Sequence, residues 1–178
     1  GIRPELKHMA NSGAIAVYPE SYFDMVRLGI SLYGSNTASD PKDRLPVRQV
    51  MKLVSKIALI RSYEEGYPIS YGRTFTTKRR MKIACIPVGY SDGYPRALSN
   101  KGNVLVREKR CSITGRICMD WLMVDISDIE NASAGEEVIL LGGGMYDSIT
   151  ADEIAEHSGT IPYEILCKIS KRIPRVYV

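Results

Sequence analysis

The stretch Ile83-Ala84-Cys85-Ile86-Pro87-Val88-Gly89-Tyr90-Ser91-Asp92-Gly93-Tyr94-Pro95-Arg96 runs from apolar residues straight into turn-makers. Residues 83–88 read as a buried strand, and Gly89, Gly93 and Pro95 end it. Two tyrosines, an aspartate and an arginine are therefore presented at a strand end. The pattern fits a plain surface turn, because Gly, Asp and Pro are common turn residues. It also fits a phenol held rigidly where it can move a proton, and the surrounding chain has to decide between the two.

Outward from this stretch, everything after Val47 is dominated by short β patterns. The spacing predicts strands over Met51–Tyr63, Lys82–Pro87, Asn103–Arg107, Arg110–Thr114, Leu122–Ile126, Glu137–Leu141 and Arg175–Val178. Turn signals at Glu65-Gly66-Tyr67-Pro68, Ser99-Asn100-Lys101-Gly102 and Gly142-Gly143-Gly144 separate them. Many short strands with Gly/Pro turns indicate a barrel-like or sandwich domain, so the fold class is mainly β. Two helices are predicted late in the chain. Thr150-Ala151-Asp152-Glu153 has capping-box spacing and starts one that runs through His157. Thr160-Ile161-Pro162-Tyr163-Glu164 starts another, with Ile161, Ile165, Leu166 and Ile169 on one apolar face.

Residues 1–36 follow a different rhythm. His8 to Ala14 reads as a polar turn between apolar pieces. Tyr18 to Asp24 reads as a short helix with Pro19 in its first turn. Met25-Val26-Arg27-Leu28-Gly29-Ile30 follows as an apolar run interrupted by an arginine. Turn, helix, strand and glycine in this order make a βα unit, too small to bury its own core and expected to be the last part of a larger α/β domain. The polar, proline-punctuated residues 37–46 read as a linker, and 47–178 as the β-domain.

Composition narrows the function classes. The chain has 178 residues, 44% apolar and 25% charged, with a net charge of +4, as in an ordinary globular protein. The basic clusters Lys78-Arg79-Arg80 and Arg107–Arg110 are short and not interleaved with aromatics, so they read as solvated turns rather than a nucleic-acid footprint. No apolar run reaches the roughly 18 residues a membrane span needs, and no signal peptide is recognisable. A membrane association would need spans upstream. The chain opens on Gly1 rather than Met, as a processed product or an excised segment would. Cys85, Cys111, Cys118 and Cys167 form no C-x-x-C pair, and three lie in apolar surroundings. Buried free thiols in a reducing compartment, the cytoplasm, are expected.

Few residues offer chemistry on spacing alone. Two histidines and four scattered cysteines give no metal-ligand pattern, and no metal is expected. No serine sits in a G-x-S-x-G elbow. Gly142-Gly143-Gly144 lacks the dinucleotide fingerprint and reads as a hairpin loop. Arg27 is different, because an unpaired guanidinium inside an apolar run is costly. It is either paired with a carboxylate at a strand end or aimed into a pocket as a donor-only group. Gly29-Ile30 allows close backbone approach to an anion, and Ser12 adds a hydroxyl. Together these look like part of a phosphate-and-ring cofactor site.

Six motifs in order carry a resemblance. They are His8-Met9-Ala10-Asn11-Ser12, Met25 to Gly34, Ser70-Tyr71-Gly72-Arg73-Thr74-Phe75, Val88 to Tyr94, Gly115-Arg116-Ile117-Cys118-Met119-Asp120, and Ile161-Pro162-Tyr163-Glu164. Along nearly its whole length the sequence resembles the C-terminal half of the alanine racemases, the fold-type III pyridoxal-phosphate enzymes. The resemblance implies that residues 1–36 are the last segments of a (β/α)8 barrel, incomplete here, ahead of a C-terminal β-domain. It implies an isomerase that interconverts L- and D-alanine and supplies D-alanine for peptidoglycan. The cofactor lysine of the family belongs near the start of the barrel, and no lysine here stands in that context. The lysine is therefore expected upstream of Gly1, and this chain alone is expected to be inactive.

Carried over residue by residue, the resemblance makes Tyr90 the catalytic base or acid opposite that lysine. Arg27 faces the cofactor's ring nitrogen, and as a donor-only group it keeps that nitrogen neutral. Ser12, Gly29, Ile30 and Tyr163 meet the phosphate, and the backbone N–H of Met119 meets the substrate carboxylate. Arg116, Asp120 and Ile161 line the mouth. Tyr90 and Met119 serve the other subunit's site, so a homodimer is implied. Two alternatives stand beside this reading: a racemase for another small amino acid such as serine, and a non-catalytic dimerisation module.

Overall fold

A computed structural model describes residues 3–36, 38 and 40–178. The chain divides into two compact units, one ending at Met51 and one from Lys52 to Val178. The strand and turn pattern of the sequence places the start of the β-domain at Val47; Thr37 and Ser39 of the expected linker lie outside the described residues.

In the first unit, strand β1 (His8–Asn11) runs parallel to β2 (Met25–Arg27). Helix α1 (Ser12–Val17) starts directly after β1, with the Asn11 side chain accepting from Ala14 N–H as its cap. The polar turn expected over 8–14 is therefore a strand and a helix start. Asn11 and Ser12 act as cap and first turn instead of breaking the chain. The helix expected near Pro19 is a single 3₁₀ turn, Pro19–Ser21. At the edge of the expected linker the Asn36 amide accepts from Leu45 N–H at 2.8 Å and donates to Leu45 C=O at 3.1 Å.

The second unit is mainly β. Its strands are β3 (Leu53–Lys56), β4 (Leu59–Tyr63), β5 (Pro68–Ile69), β6 (Phe75–Thr76), β7 (Met81–Ile86), β8 (Asn103–Val106), β9 (Lys109–Ser112), β10 (Leu122–Asp125), β11 (Glu137–Gly143) and β12 (Ser148–Ile149). One sheet has the order β10-β7-β4. Another has the order β12-β11-β8-β9 with β3 on the free side of β11, and β5-β6 forms a ribbon. The long strand expected over Met51–Tyr63 is two strands in different sheets. The chain changes sheet at Ile57-Ala58, where Ile57 N–H donates to Glu136 C=O and Ala58 N–H to Cys85 C=O. The last expected strand, Arg175–Val178, does not form, and Val176, Tyr177 and Val178 are exposed.

Burial follows the register. In β10, Leu122 and Val124 are buried while Met123 and Asp125 are half-buried, the period of two of a one-sided strand. In β11, Val138 to Gly142 are all buried, so both faces of this central strand are covered. Each such Val, Leu or Ile contributes about 1.5–3 kcal/mol by leaving water. Helix α2 (Ala151–Ser158) is capped by Thr150 Oγ1, which accepts from Glu153 N–H at 3.0 Å. Helix α3 (Pro162–Lys168) buries Ile165 and Ile169, but Ile161 is exposed ahead of the first turn. Of the four thiols only Cys111 is buried; Cys85 and Cys118 are half-buried and Cys167 is exposed. The expectation of three buried thiols therefore holds for Cys111 alone: Cys118 lies in a loop, Cys85 is half-buried in its strand, and Cys167 is on the exposed side of α3. Among the described residues no helix is long and apolar enough to cross a membrane.

Candidate functional site

The first unit gathers Ser12, Gly29 and Ile30 at one place. Ser12 is buried at the start of α1, and its Oγ accepts from Gly29 N–H at 2.9 Å and Ser31 N–H at 3.5 Å. Ile30 opens the 3₁₀ turn Ile30–Tyr33. The Ser31 hydroxyl is buried beside this cluster with no hydrogen-bond partner. Arg27, at the end of β2, is exposed and donates through Nη2 to Met9 C=O at 3.1 Å. Among the described residues it makes no ion pair, so the carboxylate-partner reading is not supported. A phosphate-sized anion suits two hydroxyls and turn-start N–H groups, and an exposed guanidinium suits a ring nitrogen.

The second unit brings Tyr90, Met119 and Asp120 together by main-chain pairing. The 3₁₀ turn Tyr90–Asp92 lies against residues 118–120. Tyr90 N–H donates to Cys118 C=O and Ser91 N–H to Met119 C=O, both at 3.0 Å. Ser91 Oγ lies 2.7 Å from both Met119 O and Asp120 Oδ1 and shares its one proton between them. Gly89 is what permits the approach: a Cβ there would lie 2.2 Å from Met119 O and 2.3 Å from Cys118 O. The Tyr90 phenol is 44% exposed. Asp120's carboxyl is held below the usual carboxylate range, first by the Ser91 hydroxyl and then by Arg172. An open groove of about 770 Å³ runs between residues 90–97 and α2–α3, lined by Tyr90, Arg96, Ser158, Thr160, Lys168 and Ser170 among others.

Sequence reasoning assigns Tyr71 no role, yet its surroundings are unusual. Ser70 has φ 64° and ψ −177°, a region essentially reserved for glycine, and Gly72 and Arg73 also have positive φ. Residues 115–116 hold this turn in place. Ser70 Oγ donates to Arg116 C=O at 2.6 Å, and a Cβ on Gly72 would lie 2.7 Å from Arg116 Nη1. The guanidinium of Arg116 thus covers the residue next to Tyr71, whose side chain is 71% exposed. Gly72 was the one sequence signal available; the strain at Ser70 leaves none. Ile161 and Tyr163 are exposed at the start of α3.

Comparison with known proteins agrees with the motif order. The family model described as alanine racemase, C-terminal domain, matches residues 50–177, and the one described as alanine racemase, N-terminal domain, matches residues 1–37. Alanine racemase 2 of Caldanaerobacter subterraneus is 48% identical over the whole chain, which covers 46% of that protein. The alanine racemase of Desulfovibrio desulfuricans is 46% identical, with 47% of it covered. The solved structure of alanine racemase from Streptomyces coelicolor superimposes with a TM-score of 0.91 at 40% identity, covering 100% of this chain and 47% of that one. A Clostridium difficile alanine racemase in complex with cycloserine gives 0.86 at 44% identity, with 97% and 45% covered. The chain spans about half the length of the curated relatives it matches, and on the strength of both domain models it belongs to the alanine racemase family.

Proposed function

We propose that this chain supplies the C-terminal part of a pyridoxal-phosphate-dependent alanine racemase, working as a homodimer. Pyridoxal phosphate, when bound, acidifies the α-proton of an amino acid by spreading the charge left behind. The cluster of Ser12, Ser31, Gly29 and Ile30 would hold its phosphate together with Tyr163, and Arg27 would donate to its ring nitrogen. The unpartnered buried hydroxyl of Ser31 supports this, because a phosphate oxygen would satisfy it. Met119 N–H would orient the substrate carboxylate, and Arg116, Asp120 and Ile161 would frame the mouth. The β-domain would be residues 47–178 and the barrel portion 1–36.

Racemisation needs one group to take the α-proton and another, on the opposite face, to return it. In this chain that second group is a phenol, and two exposed turns present one. Tyr90 is the candidate from the motif reading. The geometry favours Tyr71, and the strained backbone at Ser70 is the observation that carries the choice. A residue in a glycine-only region costs of order 1–3 kcal/mol and persists where function holds it. The Arg116 guanidinium lies over the adjacent Gly72, so the same turn carries a fixed positive group.

The test is racemisation of L-alanine, and separately of L-serine, by the full-length protein loaded with pyridoxal phosphate. Tyr71→Phe is expected to lower kcat by about 10²–10⁴-fold, the usual worth of a positioned acid–base group, and Tyr90→Phe by far less. The reverse ranking returns the role to Tyr90. Wild-type turnover of serine but not alanine overturns the substrate, and no turnover of either favours the dimerisation module.

A further inference from the structure

We infer that Arg172 is a positioning residue for substrate binding, a clamp that fixes the direction of the Met119 N–H. The inference rests on the racemase reading and adds a residue to it. Arg172 lies beyond α3, outside every motif considered above. Its Nε donates to Asp92 Oδ1 at 2.7 Å and its Nη2 to Asp120 Oδ1 at 2.6 Å. The two carboxylates belong to the two loops that pair, residues 89–93 and 118–120. Asp92 is 7% exposed, and its other oxygen accepts from Gly89 N–H at 2.9 Å. One guanidinium therefore ties both loops together through their carboxylates, in addition to their main-chain pairing. A planar fork with two charge-assisted bonds suits this task, which a single ammonium point charge does not.

The consequence for Met119 follows from peptide geometry. The Cys118 C=O and Met119 N–H belong to one planar trans peptide, so they point in opposite directions. Tyr90 N–H fixes the carbonyl end at 3.0 Å. The amide end is thereby aimed, provided the 89–93 loop stays where Arg172 holds it. On the next peptide, Ser91 holds Met119 C=O through both N–H and Oγ. Releasing Arg172 leaves Asp92 buried with one bond fewer and Asp120 held by Ser91 alone, so both loops loosen together.

The test uses Arg172→Met and Arg172→Lys in the full-length enzyme. Arg172→Met is expected to raise KM for alanine about tenfold or more while kcat changes far less, as a donor displaced by a fraction of an ångström would give. Arg172→Lys is expected to recover only part of this, because it can satisfy one carboxylate. If Arg172→Met does not fold, Asp120→Asn breaks one arm alone and is expected to raise KM in the same sense. A second readout is independent of turnover: amide hydrogen exchange at Met119 in this chain is expected to speed up in each variant. Faster exchange in the variants of a protein whose wild type does not racemise alanine would leave the clamp standing and refute the racemase reading. A folded Arg172→Met with unchanged KM, or with unchanged exchange at Met119, overturns the inference.

Discussion

Gly89→Ala isolates the contact on which the second unit's site depends. The backbone there has φ −150° and ψ −164°, an extended conformation open to alanine, so no dihedral strain contributes. The cost is purely one of space. The new Cβ would sit 2.2 Å from Met119 O, 2.3 Å from Cys118 O and 2.4 Å from Met119 C. Backbone atoms cannot turn away as a side chain can, so the two segments must separate by about 1 Å to restore ordinary carbon–oxygen contact. At that separation the Tyr90–Cys118 and Ser91–Met119 hydrogen bonds, both 3.0 Å, pass the useful limit. Two main-chain bonds at about 1 kcal/mol each, plus the strain of separation, give a destabilisation of about 2–4 kcal/mol. Alanine's gain over glycine in the unfolded chain returns less than about 1 kcal/mol. Trp121, the single tryptophan, lies beside this pairing, and its C=O accepts from Cys118 N–H at 2.8 Å, which makes its fluorescence the natural probe for urea unfolding. Stability within about 0.5 kcal/mol of wild type would refute the reasoning, because no surface substitution effect is large enough to hide the clash.

Two further outcomes are expected. Arg107 holds the Glu136 carboxyl at about 2 against an ordinary 4.5, through direct hydrogen bonds, with help from Ser133 N–H. A depressed carboxylate contributes stability above its ordinary range and loses it as pH falls from about 4.5 through about 2. Urea midpoints measured from pH 6 downward should therefore fall more steeply for wild type than for Glu136→Gln below about pH 5. Burial pushes the Cys111 thiol up to about 11, whereas Cys167 is exposed. Since the thiolate is the nucleophile, a thiol-specific reagent at pH 8 should label Cys167 quickly and Cys111 only on unfolding, as read by peptide mass spectrometry.

What was legible in the sequence was local or repeated. The cap of α2 is carried by four consecutive residues, Thr150 to Glu153, and it forms as the spacing implies. The strand 81–86 and the turn after it are written in neighbouring residues. Features decided at long range were not. The split of Met51–Tyr63 depends on carbonyls of Glu136 and Cys85, which no local pattern announces. The Arg172 clamp joins residues 52 and 80 positions apart. Ser70 adopts a glycine-like conformation because Arg116 and Gly115 hold it there, so its own identity carries no signal. Motif order pointed to the family even so, since order along a chain survives where side-chain contacts cannot be read.

The racemase account turns on a phenol of this chain serving one face of the substrate. The direct measurement is deuterium uptake at the α-carbon of L-alanine and of D-alanine in D₂O, catalysed by full-length Tyr71→Phe. Each enantiomer presents its α-proton to a different face, so the account expects uptake to collapse for one enantiomer and to continue for the other. Equal uptake by both enantiomers at the wild-type rate, in Tyr71→Phe and in Tyr90→Phe alike, would contradict it.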